Sequence, residues 1–334
     1  MNPTTAGRSS SLPGRSLWQA AQWLGIVTTG VLVGALWFEP DFALAALWNV
    51  AIPLLPATFL ISPAFWRNVC PLATLNMMTN RSGPVRLPRG KLVPSARIAG
   101  MALLLLLVPA RRFLFNTNGI ALAVVIVAVA LLALALGAAY SMKSGFCNAI
   151  CPVLPVERLY GQSPLMSVGN PRCIECSSCT ARGCIDLGAT KAVPQALGRA
   201  RRSNAWLRTD FGVFAAAFPG FVLGYNLTQD GPLSSALAVY TTVIGWAAAS
   251  YVITFVFVHV LRFTAAESMR LLAVAAVGTY YWFAAPVVTD ALRLPAWAPA
   301  TIRTVAFALV GVWLAVATLR QAGEAARKGV ATAA

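Results

Sequence analysis

The chain has 334 residues, 58% of them hydrophobic and 11% charged, with a mean hydropathy of +0.70. A water-soluble domain of this length has too small an interior to hide that much apolar surface, so lipid is the predicted solvent for most of it. The net charge of +16 does not point to nucleic acid, because the basic residues fall between apolar runs and do not gather on one soluble face.

Residues 1–16 are polar and contain Ser, Gly and Pro, and read as a disordered cytoplasmic tail. The first apolar run, Leu17 to Phe38, exceeds the ~7–15 residues of a signal-peptide core and reads as a retained span. About eight segments approach the ~20 residues that cross a bilayer as a helix: 17–38, 43–64, 97–115, 119–140, 209–228, 235–261, 268–289 and 299–320. The expected fold is therefore an all-α polytopic membrane protein. Two hairpins occupy 17–140, a polar loop 141–208, a four-helix region 209–320 and a cytoplasmic tail 321–334. The third segment is the weakest, since its apolar stretch ends at Pro109-Ala110-Arg111-Arg112. That arginine pair reads as a snorkelling pair at a membrane boundary, with an anion or partner contact as the other reading.

All but four of the 26 Lys and Arg (Arg111, Arg112, Arg293 and Arg303) fall on the side of the N-terminus, while Glu39, Asp41, Asp230 and Asp290 lie opposite. The positive-inside pattern then predicts that both termini and the 141–208 loop face the cytoplasm.

Six of the seven cysteines lie between residues 147 and 184, as Cys147-x3-Cys151-Pro152 and Cys173-x2-Cys176-x2-Cys179-x4-Cys184. Clustered and odd in number, they make a poor disulfide framework and suit a metal or redox site. Cys173, Cys176 and Cys179 match the first three positions of a bacterial ferredoxin run, whereas structural zinc usually shows two separated knuckles. The spacing predicts at least one 4Fe–4S cluster. In a ferredoxin-type crossing Cys151 completes it; in a local cube Cys184 does. Seven thiolates do not fill two four-iron sites, so a second centre, of four-iron or three-iron type, is conditional: Cys184 with Cys147 and Cys70 in the crossing, Cys70, Cys147 and Cys151 with the local cube. The seventh cysteine sits in a weak repeat: Phe65-Trp66-Arg67-Asn68-Val69-Cys70-Pro71 aligns with Phe146-Cys147-Asn148-Ala149-Ile150-Cys151-Pro152, with Trp66 at the place of Cys147. Each hairpin thus ends in a Cys-Pro turn on one membrane face. The basic residues around the loop (Arg158, Arg172, Arg182, Lys191, Arg199, Arg201 and Arg202) suit anionic lipid and an acidic redox partner.

Two Cys-Pro turns at the ends of membrane hairpins, followed by a ferredoxin-type loop, resemble the membrane-bound polyferredoxins of the NapH/NosR type. The resemblance covers residues 17–190 and rests on Cys70-Pro71, Cys147-x3-Cys151-Pro152 and Cys173 to Cys184. It implies an electron-transfer subunit of an oxidoreductase complex in a bacterial inner membrane, working between the quinone pool and a redox partner protein. Family members carry two complete turns and two ferredoxin motifs; this chain has one of each and adds four helices. The alternative expectation is an assembly or redox-sensing protein that supports maturation of another metalloenzyme. The single histidine, His259, excludes a bis-histidine haem within the chain. No phosphate-binding glycine loop, nicotinamide fingerprint or hydrolytic triad is present.

Overall fold

The computed structural model describes residues 14–79, 86–166 and 185–333. Every element among them is helical. The predicted tail 1–16 lies outside the described residues up to residue 13, and α1 (Gly14–Phe38) begins just after it. Glu39 alone separates α1 from α2 (Pro40–Ile61), whose first residue is a proline fixed in helical φ. A π turn over Leu47–Ala51 interrupts α2. The chain straightens at Ser62, which precedes a proline, and re-enters a helix as α3 (Pro63–Val69). The same device separates α3 from α4 (Pro71–Met78) at Cys70.

The second hairpin pairs α5 (Leu92–Phe115) with α6 (Gly119–Ala139), whose N-cap Asn118 accepts from the Ala121 amide. Leu36, Ala43 and Leu44 of the first hairpin pack with Ala110, Phe115, Leu122 and Ala123 of the second, locking the two together at the end away from the cysteines. The polar segment 141–208 begins with a π turn over Phe146–Ile150 and continues through α7 (Leu154–Tyr160) and α8 (Ile185–Leu197).

The C-terminal part comprises α9 (Asp210–Leu227), α10 (Leu233–Leu261), α11 (Ala265–Ala291) and α12 (Ala298–Ala333). The last helix runs on through residues 321–333, where a tail is predicted. Among the described residues seven helices are long and apolar enough to cross a membrane: α1, α2, α5, α6, α10, α11 and α12. The expected eighth, α9, is helical but falls outside that set. Its 18 residues include Asp210, Pro219, Asn226 and three glycines, and most of them face protein. Gly220 and Gly224 let it press against α10, where a Cβ at Gly220 would strike the Trp246 carbonyl.

Two arginines of α5 hold α9 alongside. Arg97 pairs with Asp210 at 3.2 Å, and Arg112 donates from Nε and Nη2 to the Tyr225 carbonyl at 3.3 and 3.1 Å. Both pairs of positions are fifteen residues apart, about 22 Å of helix, so the two helices run parallel over that length. Meanwhile the outer faces of α1, α10 and α12 expose Leu24, Val27, Val31, Ile244, Val256, Val260, Val312 and Leu319. Apolar surface on this scale belongs against lipid.

Candidate functional site at the paired cysteine turns

Four of the seven predicted ligands, Cys173, Cys176, Cys179 and Cys184, lie outside the described residues, as do Arg172 and Arg182. The other three are brought together. Cys70, Cys147 and Cys151 belong to one cluster built on Ala73, Ala133 and Phe146, with Cys147 fully buried and the other two half-buried. Cys147 Sγ faces Asn76 Oδ1 at 4.0 Å. Among the described residues no group of three His, Cys, Asp or Glu side chains stands close enough together to hold a metal ion.

The repeat is a repeat of backbone. Cys70 has φ −56°, ψ 125° and Cys151 φ −56°, ψ 123°, each between a helical turn and a proline that disfavours helical ψ before it. Each turn also packs against a glycine in the first helix of its own hairpin. A Cβ at Gly25 would lie 2.8 Å from the Val69 carbonyl oxygen, and one at Gly100 2.7 Å from that of Ile150. The copies differ in the turn that precedes the cysteine. The Cys70 amide bonds the Trp66 carbonyl four residues back, at 2.8 Å, whereas the Cys151 amide bonds Phe146, five back, at 3.0 Å. The extra residue makes the second turn a π turn, a feature frequent at functional sites. The counterpart positions then part: Trp66 packs edge-on against Phe59 in the large core, and Cys147 joins the other two cysteines.

The short helices after the two cysteines are exchanged between the halves. After Cys70, α4 lies on α6 of the second hairpin, where Asn76 Nδ2 donates to the Ala133 carbonyl at 2.9 Å and Thr79 Oγ1 to Leu134 at 2.8 Å. After Cys151, α7 and its exit lie on the first half: Gly161 meets Pro63, and the amides of Leu165 and Met166 bond the carbonyls of Leu60 and Ile61.

A buried polar network joins the turns. Arg67, three residues before Cys70, donates to Glu157 Oε2 and to Asn148 Oδ1, each at 2.7 Å. Lys143 Nζ donates to the Arg67 carbonyl at 2.8 Å. Arg67 and Glu157 are each 3% exposed, and Lys143 and Arg158 are equally enclosed. Three buried cations therefore surround one buried carboxylate here. Burial, with Arg97 and Arg67 nearby, pulls the Arg158 guanidinium down to about 10 against Asp210 and Glu157, and its Nε has no hydrogen-bond partner among the described residues.

The thiols respond the other way. Burial pushes Cys151 well above the usual thiol range, with the Glu157 carboxylate adding to it. Burial likewise raises Cys70, opposed by the Ala73 amide. As free thiols they are protonated and unreactive at neutral pH.

Cys151 has a second contact, against the cluster of Leu154, Ile185 and Ala192. Ile185, the residue next after Cys184 in the sequence, thus lies against the Cys151 turn. By contrast, His259 stacks on Phe255 and bonds its carbonyl through Nδ1, at 2.8 Å. Glu267 is spent in a capping box with Thr264, and Arg270 bonds Ala266 and Gln321. These residues form no cluster with His259.

The Arg67–Glu157 link, Lys143 and Asn148 were not among the sequence-predicted site residues; Arg158 was expected on a basic surface facing lipid or a partner and is instead buried. One signal was present: Glu157 is the only acidic residue between Asp41 and Glu175. No protein-family model, curated protein or solved structure matches the chain.

Proposed function

We propose that the chain is a membrane-bound iron–sulfur electron carrier that relays electrons between the quinone pool and a redox partner. The observation that carries this reading is the contact at Cys151, where Ile185, next in sequence after Cys184, packs beside a turn that already groups Cys70 and Cys147. Cys173, Cys176 and Cys179, completed by Cys184 or Cys151, would hold a 4Fe–4S cluster, which supplies one-electron chemistry when bound. Arg67, Lys143 and Arg158 lay positive charge under the turns and offset the negative charge that ligating thiolates bring. The exchanged helices fix the two turns relative to each other, and apolar packing keeps water from the sulfurs. In this reading the cysteine face is the cytoplasmic side of a bacterial inner membrane, where the basic segment after Leu197 meets anionic lipid or an acidic partner.

The test is anaerobic purification with iron and sulfide quantitation, and EPR of wild type against Cys176→Ala. About four irons and four sulfides per chain, reduced to near zero in the variant, is the expected result. Zinc without sulfide overturns it. A quinone analogue should reoxidise the reduced protein within seconds; failure to do so moves the protein to a role in assembly or redox sensing.

A further inference from the structure

The three arginine–aromatic stacks among the described residues all lie at the end of the molecule away from the cysteines. Arg111 sits 4.7 Å over Trp48, Arg112 4.4 Å over Tyr225 and Arg303 4.4 Å over Trp282. They mark one level. From the start of α11 to Trp282 is seventeen residues, about 26 Å of helix, close to the ~30 Å of a hydrocarbon core. This is the depth at which aromatic belts meet phospholipid headgroups.

Two of these arginines are satisfied. Arg112 bonds the Tyr225 carbonyl and pairs with Asp230 at 2.9 Å, and Arg303 donates twice to the Trp282 carbonyl. Arg111 is different. Its Nε bonds Asn116 Oδ1 at 2.7 Å, and no carboxylate pairs with it among the described residues, since Asp230 is taken by Arg112 and Asn116. Beside it Tyr225 buries its hydroxyl next to the Arg111 guanidinium, which can donate to the oxygen but cannot accept its proton, so that donor has no acceptor among the described residues; Tyr280 is near enough to feel the same charge and makes no hydrogen bond among them. A buried hydroxyl left unpaired costs about 1–3 kcal/mol, so the arrangement calls for an acceptor. A half-buried, uncompensated cation calls for an anionic one.

We propose that Arg111, Tyr225 and Tyr280, walled by Trp48, bind the phosphate oxyanion of an anionic membrane lipid on the face opposite the cysteine turns. The guanidinium matches two phosphate oxygens at once, the phenols donate to the remainder, and the indole covers the glycerol end. The assignment is independent of the iron–sulfur reading.

The experiment measures thermal unfolding of the purified full chain in a neutral detergent. Wild type, Arg111→Gln and Tyr225→Phe are compared with added phosphatidylglycerol, phosphatidylcholine or inorganic phosphate, and bound lipid is counted by native mass spectrometry. Phosphatidylglycerol should stabilise wild type. Its apparent affinity should fall about tenfold in Arg111→Gln and severalfold in Tyr225→Phe. Phosphatidylcholine and inorganic phosphate should have little effect. Equal stabilisation of wild type and Arg111→Gln overturns the proposal. So does a full shift from inorganic phosphate alone, which would make this a free-phosphate site, or one from a quinone analogue in place of lipid. If Arg111→Gln does not fold, the Tyr225→Phe titration and the wild-type lipid count decide alone, and no retained anionic lipid on wild type sinks the idea.

Discussion

At the scale of single residues, the site rests on a charge pair that joins chain segments ninety residues apart. Arg67 and Glu157 are both shielded from water, and each Arg67 donor reaches the other half of the molecule. Glu157→Gln leaves the guanidinium buried without its counter-charge, so a loss of about 3–5 kcal/mol is expected in denaturant unfolding of the detergent-solubilised protein. The double replacement Arg67→Met with Glu157→Leu should recover most of it, because no charge is then stranded. A cost below about 1 kcal/mol for Glu157→Gln would mean that Asn148 and the backbone already satisfy Arg67. The two Cys-Pro turns were legible in the sequence because their repeat is a local pattern. This pair was not, because nothing in the neighbourhood of Arg67 says which distant carboxylate it will meet.

At the scale of elements, the two hairpins and their Cys-Pro turns follow from apolar length and from what proline does to the residue before it. Cys70 and Cys151 have nearly equal dihedrals. The π turn at Phe146–Ile150 was not legible, since one added residue in a hydrogen-bonded turn leaves no compositional trace. The same holds for the exchange of α4 and α7, which depends on small residues placed where backbones touch. Gly100→Val would drive a side chain into the Ile150 carbonyl and should cost about 1–3 kcal/mol. Gly34→Ala, on the lipid side with open space around it, should be within about 0.5 kcal/mol of wild type. Thermal melts of the two variants check this. Equal melting points would mean that the cysteine turn shifts freely against α5.

For the whole molecule, seven of the eight apolar segments read from the sequence are helices long and apolar enough to cross a membrane; the eighth, α9, is helical and mostly buried against protein, with Asp210, Pro219 and Asn226 lowering its hydropathy. Its parallel alignment with α5 from Asp210 to Tyr225 predicts that it crosses the bilayer as well. Reporter fusions ending at residue 205 and at residue 231 should therefore report opposite sides of the membrane; the same side for both would leave α9 as a re-entrant helix. The exchange of short helices also imposes an order on synthesis. The first cysteine turn is closed by residues of the second half: Asn148 and Glu157 for Arg67, and Ala133 and Leu134 for α4. At about 5–20 residues per second, the ribosome needs on the order of ten seconds to deliver them after Cys70 has emerged. For that interval the first hairpin sits in the bilayer with its thiol turn open, and it closes only when the second hairpin arrives.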